Sequence, residues 1–160
     1  MTRTRTHTYE TVVTWTGNRG TGTSGYREYD RDCDLAAPGR PVIAASSDPL
    51  FRGDAGRWNP EQLLIASLSQ CHLLWYLHLA AEAGVVVTAY VDEAVGSLDE
   101  QPGGAGEFTE VVLRPRVTVA SPEMVRTALA LHPRAHELCF IARSVNFPVG
   151  HEPTVVAATA

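Results

Sequence analysis

The most reactive side-chain atoms in this sequence are sulfurs. Three cysteines, Cys33, Cys71 and Cys139, occur in 160 residues. A thiolate is a nucleophile and a soft metal ligand, whereas a buried thiol is a small hydrophobe. Cys71 lies inside a long apolar run and is followed by His72; Cys139 lies in His136-Glu137-Leu138-Cys139-Phe140. Taken one at a time, both read as core filler. Cys33, in Arg31-Asp32-Cys33-Asp34, stands among carboxylates that oppose thiolate formation and reads as structural. His72 and His78 read as hydrogen-bonded interior groups. Cys71, His72, His136 and Cys139 have the atom types of a zinc site, but adjacent residues on a helix point about 100° apart, which suits chelation poorly. No metal or cofactor is therefore expected. Glu61 reads as an acid complementing a helix N-terminus, and Arg19, between Asn18 and Gly20, as a turn residue. All 13 basic residues are arginine, so no mechanism through a lysine Schiff base is available.

The surrounding composition narrows the class further. The formal net charge of −5 leaves no basic stripe of the kind a phosphate backbone needs, so nucleic-acid binding is not expected. Met1-Thr2-Arg3-Thr4-Arg5-Thr6-His7 has no apolar core and does not read as a secretory signal. Leu63 to Ala81 carries no formal charge and is long enough to span a bilayer. Ser67, Ser69, Gln70, His72 and His78 interrupt it, so it reads as a buried helix of a cytoplasmic protein without a membrane partner. In such a reducing compartment, paired cysteines tend to be redox-active or metal-binding.

The elements that must position these residues can be placed along one domain, residues 1–160. His7 to Trp15, rich in Thr, Val and Tyr, reads as a strand ending at Gly17-Asn18-Arg19-Gly20, with Gly25 to Arg31 as its hairpin partner. Residues 33–58, punctuated by Pro38-Gly39, Pro41, Ser46-Ser47-Asp48-Pro49 and Gly53, read as one long loop. Asn59-Pro60-Glu61 is a helix start, with an N-cap, a first-turn proline and an acid; the helix runs to about Ala83 and stops at Gly84. Val85–Gly96 and Phe108–Val119 read as strands, the second marked by Pro115 as an edge or bulged strand. A short helix follows Ser121-Pro122-Glu123, is interrupted at His132-Pro133, and resumes over about 134–143; Glu152 to Ala158 reads as a last strand. The long helix is apolar on nearly every face, through Leu63, Leu64, Ile65, Leu68, Leu73, Leu74, Trp75, Leu77 and Leu79. One sheet covers a helix on one side only, so a second copy of the chain is the expected remaining cover.

Asn59-Pro60-Glu61-Gln62-Leu63-Leu64, with Cys71 ten residues after Glu61, resembles the central helix of the OsmC/Ohr family, the osmotically inducible and organic-hydroperoxide-resistance proteins. His136-x-x-Cys139 is similar to that family's second cysteine site, and Gly17-Asn18-Arg19-Gly20 resembles the place of its catalytic arginine. The resemblance implies an α+β fold in which two antiparallel sheets wrap around two central helices in an intertwined homodimer. It also implies a thiol peroxidase without a cofactor, with Cys71 as peroxidatic thiol, Cys139 as resolving thiol, and Arg19 with Glu61 as polar activators. An organic hydroperoxide is the implied substrate, and an external dithiol the reductant of a Cys71–Cys139 disulfide. His72 and Phe140 stand where the best-known branch has Phe and Pro. Ser46-Ser47-Asp48-Pro49-Leu50-Phe51-Arg52-Gly53-Asp54 resembles another, OsmC-like branch.

The residue types suit that chemistry. A thiol of pKa about 8.5 is only a few per cent ionised at pH 7, and burial among leucines suppresses the thiolate further. A guanidinium in hydrogen-bond reach opposes burial, and a carboxylate such as Glu61 can orient it through a bidentate pair. Ten residues of continuous helix are a rise of about 15 Å, further than a Glu and a Cys side chain together reach. Glu61 and Arg19 are therefore expected to act on Cys71 of a partner chain. The competing class is a non-enzymatic dimer that binds hydrophobic ligands and keeps its cysteines as filler.

Overall fold

The computed structural model describes residues 4–159. The chain divides into two compact units, Met1–Leu63 and Leu64–Ala160.

The first unit is built on an antiparallel sheet of β1 (Val12–Trp15), β2 (Cys33–Ala36) and β3 (Ile43–Ala45) in that order, with Trp15 opposite Cys33 and Cys33 opposite Ala45. This corrects two sequence readings. The partner of the first strand is Cys33–Ala36 rather than Gly25–Arg31, which contributes a single bridge, Tyr29 to Asn18. The reason is local: the Asn18 carboxamide oxygen accepts from the Gly20 and Gly22 N–H groups and curls the chain off the ladder. Residues 33–58 are not one loop, because two strands and a 3-10 turn over Pro49–Phe51 lie within them. Asp48 caps that turn by accepting from the Leu50 N–H at 2.8 Å.

Helix α1 (Pro60–Glu82) begins and ends where its sequence says. The Asn59 side chain accepts from the Gln62 N–H at 2.8 Å, and Gln62 Oε1 accepts in return from the Asn59 N–H at 3.3 Å. Two otherwise orphaned donors are satisfied reciprocally. At the other end Gly84 takes φ +71, the Gly84 N–H reaches the Ala81 carbonyl and the Val85 N–H reaches that of Ala80, a Schellman closure that needs a left-handed residue. By length and composition α1 is apolar enough to cross a membrane.

The second unit sets six strands beside α1. β4 (Val87–Asp92), β7 (Pro115–Val119) and β9 (Thr154–Ala157) form one sheet; β5 (Val95–Glu100), β6 (Gly106–Leu113) and β8 (Val149–His151) form another. Each of the two long strands read from sequence is broken in two, so that β5 pairs with β6 and β4 with β7, both antiparallel. β8 and β9 join in parallel, beside β6 and β7. Pro115 does not mark an edge: β7 is the central strand of its sheet, and the proline is tolerated as its first residue. The break before it is fixed by the Asp92 carboxylate, which accepts from the Arg114 N–H at 2.7 Å. Helices α2 (Val125–Ala130) and α3 (His132–Leu138) meet at Leu131, one residue before the expected interruption.

Leu68, His72, Tyr76 and Ala80, each four residues apart, form the buried stripe of α1. Tyr76 and Ala80 pack with Val85, Val117, Val119, Ala128 and Ala135; Leu68 packs with Val111 and Leu113. Gly96 lets β5 approach α1, since a Cβ there would lie 2.8 Å from the Ile65 and Phe108 side chains. Within one chain the helix is covered along that stripe rather than all round, and Leu74 remains 58% exposed.

Candidate active site

Two of the sulfurs meet. Cys71 is carried on α1, in the turn that also holds the buried His72, and Cys139 caps the C-terminal end of α3. Cys139 thus lies just past the helix rather than within a longer one, because its backbone turns extended at φ −66, ψ 108. Its position is fixed three ways: its N–H donates to the His136 carbonyl, its carbonyl accepts from the Arg143 N–H, and its sulfur accepts from the Ala142 N–H at 3.4 Å. The Cys71 side chain lies close enough to raise the pKa of the Cys139 thiol, and neither cysteine is in a disulfide. Burial, with that contact second, pushes the Cys139 thiol up to about 11. Burial chiefly keeps the proton on Cys139 at neutral pH. Cys33 lies elsewhere, on β2.

Beside the thiol pair stands a column of imidazoles that the sequence did not announce. His72 Nε2 lies 3.0 Å from His132 Nδ1, and the two rings are parallel within 7°. His151 of β8 lies 5.7 Å from the His72 ring, and His136 5.3 Å from that of His151. The Tyr76 ring stacks on His132 at 4.2 Å, and the Tyr76 hydroxyl donates to the Ala128 carbonyl. Burial, then the neighbouring imidazoles, lowers His72 to about 4 and His132 to about 3, and His151 moves the same way. His72 is the hydrogen-bonded interior group its setting in the sequence suggests. His78 is not: its side chain is 56% exposed and lies 3.4 Å from Glu82. Among the described residues, no group of three or more His, Cys, Asp or Glu could hold a metal ion. The one signal in the sequence was the spacing of His132 and His136, which puts both on one face of a short helix.

The expected Arg19–Glu61 pair is absent from the first unit. Arg19 instead donates to the Arg27 carbonyl and lies 3.7 Å from the Asp30 carboxylate. The segment between Gly17 and Asp30 supplies both acceptors locally, which leaves Glu61 without the guanidinium. Glu61 keeps one carboxylate oxygen, Oε2, buried with no hydrogen-bond partner. Arg57 is the guanidinium that gathers carboxylates there, those of Asp32, Asp34 and Asp54.

On the outer side of α1, Leu74, Trp75 and His78 line a cleft of ≈ 280 Å³. Phe140, next to Cys139, packs edge-on against Trp75 at 5.6 Å.

Residues 53–153, which carry the Glu61, Cys71 and Cys139 positions, match the model of the OsmC-like protein family. The chain belongs to the OsmC-like family. An OsmC-like protein of unknown function from Vibrio cholerae is similar at 32% identity, covering 93% of this chain and all of that one, with a TM-score of 0.83. The OsmC-like fold also extends to more distant structures. An organic hydroperoxide resistance protein from Elizabethkingia anophelis shares 15% identity over 98% of this chain and 100% of its own, at a TM-score of 0.66. Another from Legionella pneumophila shares 17% over 95% and 98%, at 0.63. No curated protein matches the sequence.

Proposed function

We propose that this OsmC-like chain is a thiol peroxidase that reduces organic hydroperoxides to alcohols. The observation that carries the reading is the nearness of Cys71 and Cys139: two reduced thiols, one on α1 and one at the end of α3, the second kept protonated chiefly by burial. Family membership and the hydroperoxide-resistance names of two structural neighbours agree with it. The Cys71 thiolate attacks the outer peroxide oxygen; an S–O bond forms, the O–O bond breaks, and the alkoxide takes a proton to leave as alcohol. Cys139 sulfur then attacks the Cys71 sulfenic acid. The S–S bond forms, the S–O bond breaks, and the Cys139 proton leaves with the hydroxyl as water. An external dithiol reduces the disulfide and supplies the electrons for the next cycle.

Arg19 and Glu61 act in this reading as activators of Cys71 in a homodimer. The buried, unpartnered Glu61 oxygen and the unbroken helix from Pro60 to Glu82 support supply of Glu61 from a partner chain. The test is steady-state consumption of cumene hydroperoxide with dithiothreitol. Wild type is expected to turn over many times, and Cys71→Ser to lose the activity at least 100-fold. Multiple turnovers by Cys71→Ser contradict the assignment. A second reading, a module that binds apolar ligands, is favoured by the cleft at Leu74, Trp75 and His78. It predicts saturable binding of a long-chain fatty acid with no thiol consumed.

A further inference from the structure

The two helices that carry the thiols are joined a second time, one residue along. Cys71 and His72 are neighbours on α1; His132 opens α3 and Cys139 closes it. The imidazole bond at 3.0 Å and the thiol contact are therefore two rungs between the same pair of helices. His72 and His132 are both fully buried. A neutral imidazole has one donor and one acceptor, so the rung needs one N–H and one bare nitrogen facing each other. His72 Nδ1 and His132 Nε2, on the outer sides of the pair, have no partner.

We propose that His72 and His132 are positioning residues for the thiol pair, their imidazole–imidazole hydrogen bond being an acid-labile tie that holds α3 on α1 and keeps Cys139 in reach of Cys71. The proposal rests on the thiol-peroxidase reading. The groups around the tie contain no counter-charge: Cys71 and Tyr76 on α1, Tyr90 on β4 behind Tyr76, His136 and Cys139 on α3, and His151 on β8. Glu137 and Glu152 are exposed and engaged by Arg134 and Arg114, and Arg143 is exposed. A proton added to the pair is a buried charge that faces only neutral groups or another imidazole, and doubly protonated rings present N–H to N–H. The tie is intact at neutral pH and, because burial holds both imidazoles neutral well below the ordinary histidine range, it is lost in the folded chain only as pH falls to about 4 and below. Nothing in the first chemical step, attack of Cys71 on peroxide, uses it. Closure of the disulfide does.

The experiment treats the full chain with one equivalent of cumene hydroperoxide and follows, by mass spectrometry after dimedone quenching, Cys71 sulfenic acid and the Cys71–Cys139 disulfide separately. For His132→Leu, sulfenic acid is expected to form within about threefold of the wild-type rate, while closure slows by at least about tenfold, the worth of one lost buried hydrogen bond. His132→Asn, whose amide can meet His72 Nε2 and does not titrate, is expected to close at near wild-type rate at pH 7.5. As pH is lowered from 6.5 to 3.5 the ratio of wild-type to His132→Asn closure rates should hold and then fall as it passes about 4, where His72 takes up its proton; taking the ratio cancels the thiols' own pH dependence. Closure of a folded His132→Leu within threefold of wild type overturns the proposal, as does a ratio flat with pH. If His132→Leu does not fold, the Asn ratio decides alone. Absence of sulfenic acid and disulfide in the wild type itself overturns the peroxidase reading, and the tie with it.

Discussion

The two units of this chain differ in the ionisable side chains they bury. In the first, charge is met by charge near solvent: Arg57 with Asp32, Asp34 and Asp54, and Arg19 with Asp30. The second has exposed ion pairs too, Arg114 with Glu152 and Arg134 with Glu137, but it also buries ionisable groups beside their own kind, thiol by thiol and imidazole by imidazole. Exposed ion pairs contribute little stability and tolerate water. Buried neutral pairs are hydrogen-bonded only while both members keep the right protons, so the second unit makes its chemistry and its stability depend on pH and redox state. Under the peroxidase reading, reactivity is stored in groups held away from their ordinary protonation, not in the densest cluster of charge.

The largest effect that would sharpen this contrast is on turnover. Cys139→Ser should consume one equivalent of cumene hydroperoxide and then stall with Cys71 as sulfenic acid, detected as a dimedone adduct. Sustained turnover by that variant would remove Cys139 from the cycle.

Acid comes next. His72 is a base whose folded pKa, about 4, lies below its unfolded value of 6.5. Above 6.5 both states are neutral and stability is level. Between 6.5 and 4 only the unfolded chain takes up the proton, so stability falls as pH falls, by roughly 3 kcal/mol for this group alone. Urea midpoints measured at intervals from pH 7 to pH 4 check the slope, and His72→Gln should reduce it, His132 and His151 supplying the rest. A midpoint unchanged between pH 6.5 and pH 4.5 would break the comparison at its buried side.

On the charged side, Glu61→Gln should lower kcat/KM about 10- to 100-fold with little change in melting temperature, as expected for a carboxylate that orients rather than reacts. Mixing Cys71→Ser subunits with Glu61→Ala subunits should restore activity if sites are shared, because the first chain donates an intact Glu61 to the intact Cys71 of the second. No recovery on mixing would place the activators in the same chain as the thiol they serve.

The smallest effect is at the helix start. Asn59→Ala removes the cap acceptor and should cost about 1 kcal/mol of stability, read from thermal melts, without altering thiol chemistry.

These elements differ in how readable they were, for physical reasons. Asn59-Pro60-Glu61 and Gly84 could be read directly because caps are decided by residues within one turn of each other. The strand pairings could not. β2 and β3 lie in a Pro- and Gly-punctuated stretch whose composition suggests loop, and β8 exists only through a parallel ladder with β6, some 38 residues earlier at Val111↔Val149. Cys71 and Cys139 were visible as candidates, and their neighbourhood by resemblance. Apart from the His132/His136 spacing the imidazole column could not be read, because it gathers His72, His132, His136 and His151 from three elements. The local contacts of Arg19 with Arg27 and Asp30 were not legible, because sequence spacing says nothing of which acceptors a turn presents.

The central claim is that Cys71 and Cys139 form one redox pair and that Cys33 stands outside it. Counting free thiols in the reduced, denatured-after-quench protein before and after one equivalent of cumene hydroperoxide tests it directly. The account predicts a fall from three thiols per chain to one, with Cys33 remaining and a Cys71–Cys139 peptide pair recovered on digestion. Three thiols retained after exposure, or a disulfide that includes Cys33, would contradict it.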